Sequence, residues 1–459
     1  MANSSGPYDI VVLGGGSGGY ACALRAAELG MSVALIERDK VGGTCLHRGC
    51  IPTKALLHAA ELADQARESE TFGIRARLDG IDMPGVHAYK DKVVGRNFKG
   101  LTGLIKSKGI EVVEGEGRLT GPTQVTVGDA VYEGRHIVLA TGSRPKSLPG
   151  LEIDGDKVIS SDHALTLDHV PESAVILGGG VIGVEFASVW RSFGAEVTIV
   201  EALPHLLPLE EESSSKRLER AFRRRGIKYE LGTRFESVTS GEKGVTVTLE
   251  GGTSLEAEVL LVAVGRGPIS EGLGYEEAGI EMERGFVKAD EYCRTNIPTI
   301  SAVGDLIPTL QLAHVGFAEG ILVAERLGGL NPPPVDYDGV PRITYSEPEV
   351  ASVGLTTAQA RERGYEVKEY TYDLAGNGKA LILQTQGEVK VISQVDGPVL
   401  GVHMVGSRIG ENSAEAQLIY NWEALPAEVA QLVHPHPTLS EAVGEAHMAL
   451  AGKPLHAHS

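Results

Sequence analysis

Two cysteines five residues apart are the part of the sequence best suited to chemistry. Cys45 and Cys50 lie in the segment GGTCLHRGCIPTK, at the start of a helical pattern. Residues five apart in a regular α-helix are roughly 8 to 9 Å apart at Cα, whereas a disulfide needs about 4.4 to 6.8 Å. The first helical turn must therefore be distorted if the sulfurs are to bond, and Gly49 and Pro52 make such a distortion feasible. The positive end of the helix dipole would lower a thiol pKa there, so the pattern favours a reactive pair.

The remaining cysteines give little support to other disulfide or metal chemistry. Cys22 and Cys293 stand alone and are predicted to be buried. Four cysteines in 459 residues are too few for a disulfide scaffold, so any disulfide is expected to be catalytic. A pair of ordinary buried cysteines is the alternative. Zinc is disfavoured because no second Cys or His pair has suitable spacing, and no metal is expected.

A histidine near the C-terminus could serve as the base that a thiol reaction needs. His436 is followed five residues later by Glu441, and a carboxylate can orient an imidazole whose pKa is near neutrality. His434 is a nearby competitor. With 14 histidines in the chain, spacing alone leaves a solvated or hydrogen-bonded histidine as the commoner outcome.

Two glycine-rich motifs, offset by 164 residues, predict two dinucleotide-binding sites. The first consists of Gly14, Gly16, Gly19 and Glu37, and the second of Gly178, Gly180, Gly183 and Glu201. Each follows an apolar strand and opens a helix, and each acid ends the next strand, where it can accept hydrogen bonds from a ribose. No arginine follows Glu201 within the next four residues, which favours NAD over NADP. A second dinucleotide site beside a thiol pair suggests FAD, which relays electrons between nicotinamide and sulfur.

Composition and the order of segments predict an acidic globular protein of α/β class. The formal charge of −19 argues against nucleic acid and anionic membranes as partners. The N-terminal residues lack a basic region and an apolar signal core, so we expect a cytoplasmic protein. We predict an FAD-binding domain over 1–148 and 271–335, an NAD-binding domain over 149–270, and an α+β interface domain over 336–459.

Several phrases of the sequence together resemble one family. They are GGTCxxxGCxPxK, ATGSRP (140–145), GVIGVE (180–185), AVGD (302–305), YSEPEVASVG (345–354) and HPTLSEA (436–442). This set resembles the class I pyridine nucleotide-disulfide oxidoreductases over nearly the whole chain. The resemblance implies a glutathione-reductase-like fold, with two Rossmann-like FAD/NAD-binding domains and a C-terminal α+β dimerisation domain.

The resemblance also implies roles for individual residues. Cys45 would exchange with substrate and Cys50 would lie against the flavin. Lys54 would pair with Glu185 beside the flavin, and Asp305 would hold its ribityl chain. The base would be His436, oriented by Glu441 and reaching the thiols of the other subunit of a homodimer. The other implied cofactor contacts are Arg38, Gly43, Thr44, Gly115, Gly117, Thr141, Gly142, Ser143, Val181, Ile182, Gly265, Gln311, Leu312, Ala313 and His314.

Residues between the shared motifs favour the branch of the family that oxidises dihydrolipoamide with NAD. Val181 stands where glutathione reductases tend to carry a tyrosine, and the chain has no C-terminal cysteine pair. His47, Arg48 and Gly267 resemble actinobacterial members of this branch. The implied partners are a lipoyl domain and the dihydrolipoyl acyltransferase of a 2-oxo acid dehydrogenase complex. A mycothione-type disulfide reductase and a non-catalytic docking subunit are the alternatives.

Overall fold

The protein is described by a computed structural model that covers residues 7–456. The expectation of no leader rests partly on residues 1–6, which lie outside the described residues. From residue 8 to 160 the strands are β1 (Tyr8–Leu13), β2 (Val33–Glu37), β3 (Glu111–Glu114), β4 (Gly117–Gly121), β5 (Gln124–Val127), β6 (Ala130–Leu139), β7 (Ser143–Pro145) and β8 (Val158–Ser160). From residue 173 to 302 they are β9 (Ser173–Leu177), β10 (Glu196–Glu201), β11 (Lys228–Leu231), β12 (Phe235–Gly241), β13 (Gly244–Leu249), β14 (Ser254–Ala257), β15 (Val259–Val262), β16 (Arg266–Pro268), β17 (Met282–Glu283), β18 (Phe286–Val287) and β19 (Ile300–Ala302). The last five are β20 (Arg342–Thr344), β21 (Glu349–Gly354), β22 (Val367–Asp373), β23 (Glu388–Gln394) and β24 (Val399–Gly406).

Helices alternate with these strands over most of the chain. They are α1 (Ser17–Glu28), α2 (Gly43–Arg48), α3 (Cys50–Glu68), α4 (Met83–Ser107), α5 (Ser161–Ala164), α6 (Val181–Phe193), α7 (Glu212–Arg224), α8 (Ala313–Leu327), α9 (Thr357–Glu362), α10 (Gly378–Leu383), α11 (Ser413–Asn421), α12 (Pro426–Val429) and α13 (Glu441–Leu450). Within residues 7–456, every helix is too short or too polar to cross a lipid bilayer.

Contacts divide the chain into two compact units. Within the described residues 7–456, the first contains residues up to 55, 87–146 and 265–337, and the second contains residues 56–86, 147–264 and from 338 onward. The domain boundaries given above stay a prediction.

The first unit is built on a sheet in the order β3-β2-β1-β6-β5-β4, with β19 also paired to β6. β1, β2, β3, β6 and β19 run parallel. The apolar residues of β1, from Ile10 to Leu13, are at most 3% exposed, which is typical of a parallel strand covered on both faces. Helices α1 and α8 cross closely, since a Cβ on Gly320 would lie 2.2 Å from the carbonyl O of Gly18. Cys22 and Cys293 are fully buried in this unit, which confirms the prediction for both.

The second unit contains a parallel sheet in the order β11-β10-β9-β15-β8 and an antiparallel sheet β12-β13-β14. α6 is apolar around most of its circumference and is correspondingly buried along most of its length. The C-terminal part forms an antiparallel sheet in the order β20-β21-β24-β23-β22. All eight residues of β24 are buried, and residues of α11 and α13 belong to the same apolar core.

Candidate active site

The turn after β1 forms an open cradle in front of a helix N-terminus. Gly14 has a φ of +107°, and a Cβ there would lie 2.3 Å from the carbonyl O of Ala140. A Cβ on Gly19 would lie 1.8 Å from the carbonyl O of Gly14. Gly16, which precedes α1, has nothing within 4 Å of its Cβ position. The protein's own packing therefore requires Gly14 and Gly19, whereas Gly16 leaves room for a ligand before the N–H groups of α1.

The turn after β9 repeats this geometry. Gly178 has a φ of +106°, and its Cβ would lie 2.3 Å from the carbonyl O of Ala263. A Cβ on Gly183 would lie 2.0 Å from the carbonyl O of Gly178, while Gly180 again faces open space. Two cradles with free N–H groups at a helix N-terminus fit the pyrophosphates of two dinucleotides.

The acid at the end of each following strand is bound to its glycine turn. Glu37 Oε2 accepts the N–H of Gly15 at 2.6 Å, and Glu201 Oε2 accepts the N–H of Gly179 at 2.6 Å. The other oxygen of each accepts the backbone N–H two residues further along the chain, at 2.9 and 2.8 Å. Because a carboxylate oxygen has a second lone pair, each acid can shape the turn and also accept from a ribose hydroxyl.

The cysteines lie on two helices rather than on one. Cys45 is in the six-residue α2, and Cys50 is the first residue of the 19-residue α3. Gly49 separates the helices at φ −145° and ψ −114°, and a Cβ there would lie 3.0 Å from the carbonyl O of Thr44. The distortion predicted for the first turn is therefore a complete break at Gly49.

Two glycines bring α2 against the first cradle. Gly42 has a φ of +104°, and its Cβ would lie 2.4 Å from Cδ2 of Leu46. Gly43 has a φ of +57°, and its Cβ would lie 2.7 Å from Cα of Gly16. Any side chain at Gly43 would push the thiol segment away from the cradle.

The two cysteines interact directly. Cys45 is hydrogen-bonded to Cys50, and this contact together with burial raises the pKa of Cys45, although Lys54 acts in the opposite direction. Cys50 begins a long helix, so it is the better site for a thiolate. Burial and the two sulfurs raise the pKa of Tyr20 to about 12, which keeps its phenol protonated beside the pair.

A half-buried arginine that sequence reasoning did not single out connects three predicted cofactor residues. Arg266 Nε donates to Ser143 Oγ at 2.7 Å, and Nη2 donates to the Ser143 carbonyl O at 2.7 Å. Nη2 also lies 3.4 Å from Thr44 Oγ1. Ser143 Oγ in turn donates to Asp305 Oδ2 at 2.5 Å. The only sequence signal for Arg266 was the likeness of VGRGP to ATGSRP, and those segments form the paired strands β16 and β7.

A buried glutamate, also missed, fixes the turn that carries Asp305. Glu319 is fully buried and accepts hydrogen bonds from Gly304 N at 2.6 Å, Thr309 Oγ1 at 2.8 Å and Tyr337 OH at 2.9 Å. Burial raises its pKa, although these donors oppose the shift. A single glutamate within a helical pattern gives no local signal for such a role.

The other predicted FAD contacts lie at strand ends and turns. Gly115 has a φ of +145° and donates its N–H to the carbonyl O of Glu37 at 2.9 Å. Thr141 Oγ1 donates to the carbonyl O of Ile269 at 2.6 Å, and Gly142 follows with a φ of +70°. The remaining positions are Gly117 in β4, Arg38 after β2, and Gln311, Leu312, Ala313 and His314 around the start of α8.

The other predicted NAD contacts surround the second cradle and the entry to β16. Val181 and Ile182 are the first two residues of α6. Gly265 has a φ of +108° and directly precedes Arg266. Among residues 7–456 no cluster of His, Cys, Asp and Glu is arranged to hold a metal ion.

The predicted base is held by its predicted carboxylate. His436 is 78% exposed, and its Nδ1 lies 2.8 Å from Glu441 Oε1. The other oxygen, Oε2, accepts the N–H of Thr438 at 2.8 Å. Although burial opposes it, these donors hold the pKa of Glu441 below its usual range. Because a carboxylate only accepts, Nδ1 carries the proton and Nε2 is the basic nitrogen.

His434 has a different environment. Its Nε2 lies 2.6 Å from Glu415 Oε1, the side chain is only 12% exposed, and Glu415 raises its pKa. A Cβ on Gly444 would lie 2.5 Å from its Nδ1, so the ring is enclosed.

Lys54 and Glu185 fall in different units. Lys54 is on α3, and Glu185 is on α6, where it is 3% exposed and accepts the N–H of Tyr345 at 3.0 Å. Their pairing stays a prediction.

Known proteins resemble this chain over almost its full length. Residues 8–320 match the pyridine nucleotide-disulphide oxidoreductase family, and residues 340–447 match the dimerisation domain of the same family. A dihydrolipoyl dehydrogenase of Bacillus subtilis is 42% identical, with 98% of this chain and 99% of that protein covered. Among solved structures, LpdA from Mycobacterium tuberculosis has a TM-score of 0.90 at 28% identity, covering 96% of this chain and 99% of its own. The HOCl-induced flavoprotein disulfide reductase RclA from Escherichia coli has a TM-score of 0.86 at 29% identity, covering 96% of this chain and 99% of its own. The fold is glutathione-reductase-like, and the chain belongs to the pyridine nucleotide-disulphide oxidoreductase family.

Proposed function

We propose that the protein is a dihydrolipoyl dehydrogenase, which oxidises dihydrolipoamide with NAD⁺ through the Cys45/Cys50 pair. The observation that carries this proposal is the position of α2, whose Gly43 packs against Gly16 of the first dinucleotide cradle. A thiol pair thereby lies beside one dinucleotide site in a chain that contains a second. The 42% identity to a dihydrolipoyl dehydrogenase supports the choice of substrate.

Members of this family use FAD and NAD. We assign FAD to the cradle at Gly16, with Asp305 and the start of α8 as further contacts, and NAD to the cradle at Gly180. The unpaired N–H groups of α1 and α6 suit the two pyrophosphates. Bound FAD would supply the two-electron relay between the thiol pair and NAD⁺.

The side chains account for the thiol half of the reaction. His436 Nε2 takes the proton of one substrate thiol, and the resulting thiolate attacks Sγ of Cys45 in the oxidised enzyme. The Cys45–Cys50 bond breaks, and Cys50 leaves as the thiolate that its helix N-terminus stabilises. The second substrate thiol then displaces Cys45 from the mixed disulfide: Cys45 takes the proton held on His436 Nε2, and the proton of the second thiol replaces it there. Cyclic lipoamide leaves, and the enzyme holds two electrons as a Cys45 thiol beside the Cys50 thiolate, with one proton on His436. The Cys45 thiol hydrogen-bonds to Cys50 as it does here.

Assembly and location extend the proposal. The dimerisation domain supports a homodimer, in which His436 serves the thiols of the partner subunit. The lipoyl group would be presented by the dihydrolipoyl acyltransferase of a 2-oxo acid dehydrogenase complex. A reducing cytoplasm would suit a thiol pair that must cycle.

The direct test is NADH formation by the flavin-loaded enzyme with dihydrolipoamide and NAD⁺. Cys45→Ser and Cys50→Ser should each abolish it, whereas Cys22→Ala, which alters a buried thiol outside the pair, should retain it. Faster turnover with NADPH and mycothiol disulfide than with NADH and lipoamide would reject the proposed substrate.

A further inference from the structure

A buried asparagine connects the core of the C-terminal sheet domain to the exposed base. Asn377 is 4% exposed and precedes the short helix α10. Its Oδ1 accepts the N–H of Ala380 at 2.9 Å, which caps that helix. Its Nδ2 donates to the carbonyl O of Thr438 at 3.0 Å. The two ends of one amide thus serve two different segments.

The second contact exceeds what a helix cap requires. Ser, Thr and Asp side chains cap as well as Asn, because a cap needs only an acceptor. The amide NH₂ group is what asparagine adds, and here it is used on the loop that carries the base. Burial makes that donor costly to leave unpaired.

Thr438 connects Asn377 to the imidazole of His436 through two further hydrogen bonds. Its carbonyl O is held by Asn377, and its N–H is held by Glu441 Oε2 at 2.8 Å. Glu441 Oε1 then holds His436 Nδ1 at 2.8 Å. Because both the carbonyl O and the N–H of Thr438 are hydrogen-bonded, the Glu441 carboxylate is held in one position, from which it orients the His436 ring.

We propose that Asn377 is a positioning residue that orients His436 through Thr438 and Glu441. The inference rests on the proposed function, in which His436 is the base. Within its own chain the His436 ring is 78% exposed and is hydrogen-bonded by Glu441, so its orientation depends on this chain of hydrogen bonds. Correct orientation of a catalytic base raises the reaction rate by a large factor, because the basic nitrogen must face the thiol proton.

The test uses three variants of the flavin-loaded enzyme. Asn377→Asp keeps an acceptor for the α10 cap but cannot donate to Thr438. Asn377→Ala removes both contacts. Thr356→Ala is the matched control, because Thr356 caps α9 in the same domain and its cap partner is Gln359 rather than a residue of the His436 loop.

Asn377→Asp and Asn377→Ala should each lower kcat for dihydrolipoamide oxidation about tenfold, the effect of about 1.4 kcal/mol. The KM for NAD⁺ and the rate of NADH oxidation by ferricyanide should be unchanged, because neither needs the base. Amide hydrogen exchange should accelerate in the peptide 434–440 for both variants, but in α10 only for Asn377→Ala. Thr356→Ala should alter neither the thiol reaction nor exchange at 434–440.

Wild-type kinetics and exchange at 434–440 in Asn377→Asp would overturn the proposal. A slow Asn377→Ala beside a normal Asn377→Asp would overturn it too, since the cap alone would then matter, as would an equal loss in Thr356→Ala. If the unmodified enzyme did not oxidise dihydrolipoamide, the proposed function would fail, and exchange at Thr438 alone would decide the role of Asn377.

Discussion

Replacing Glu349 by glutamine should make protein stability less sensitive to pH. Glu349 lies at the start of β21, partly buried, with its Oε2 accepting the N–H of Gly410 at 2.8 Å. Burial, reinforced by neighbouring carboxylates including Glu347, raises the pKa of Glu349 from 4.5 to about 7. Glutamine retains an acceptor for Gly410 and never carries the charge that burial disfavours.

The sign and size of this change in the free energy of unfolding follow from proton linkage. Between pH 4.5 and 7 the unfolded chain releases the Glu349 proton while the folded protein keeps it, so the unmodified protein loses stability as pH rises through this window. The raised pKa corresponds to roughly 3 kcal/mol, fully expressed above pH 7. The stability of Glu349→Gln relative to the unmodified protein should therefore increase by up to this amount from about pH 4.5 to pH 7.

The measurement is the midpoint of thermal unfolding of the flavin-loaded protein at several pH values. The difference between Glu349→Gln and the unmodified protein should grow by several degrees from pH 5 to pH 8. Glu250→Gln, at an exposed position, is the matched control and should leave the pH dependence unchanged. A midpoint difference that is the same at every pH would refute the reasoning.

Four further substitutions test the site. Gly16→Ala should fold normally, because nothing lies within 4 Å of the new Cβ, but it should lose bound flavin. Gly14→Ala should lower the unfolding midpoint, because its new Cβ would lie 2.3 Å from a carbonyl O. If both variants lost flavin equally and neither was destabilised, the different roles of these two glycines would be contradicted. Arg266→Lys should weaken reconstitution of the apoprotein with FAD by roughly 1 to 3 kcal/mol, because a lysine cannot reproduce the guanidinium fork on Ser143; unchanged FAD affinity would remove this role. His436→Ala should slow dihydrolipoamide oxidation by about 10²- to 10⁴-fold while NADH oxidation by ferricyanide persists, and equal slowing of both reactions would exclude His436 as the base.

Local glycine patterns made part of this structure predictable from the sequence. Gly14, Gly19, Gly178 and Gly183 are needed because their Cβ positions are occupied by nearby backbone atoms, and such turns are encoded within about six residues. Cys22, which was also predicted to be buried, lies on the helix that the first turn begins.

Contacts between distant segments were beyond local patterns. Arg266 reaches Ser143 across 123 residues, and its role depends on the pairing of β16 with β7. Asn377 reaches Thr438 across 61 residues. The break at Gly49 was expected only as a distortion, because spacing limits the distance between two sulfurs without saying which residue leaves the helix.

The two copies of the glycine turn are followed by different segments at the same place in the fold. In the first copy the N–H of Gly42 donates to the carbonyl O of Gly15 at 2.8 Å. In the second copy the N–H of Leu207 donates to the carbonyl O of Gly179 at 2.8 Å. The second copy fills this place with buried leucine side chains, whereas the first begins the helix that carries Cys45. The helix that carries Cys45 thus begins at the place where the second glycine turn is closed by an apolar plug.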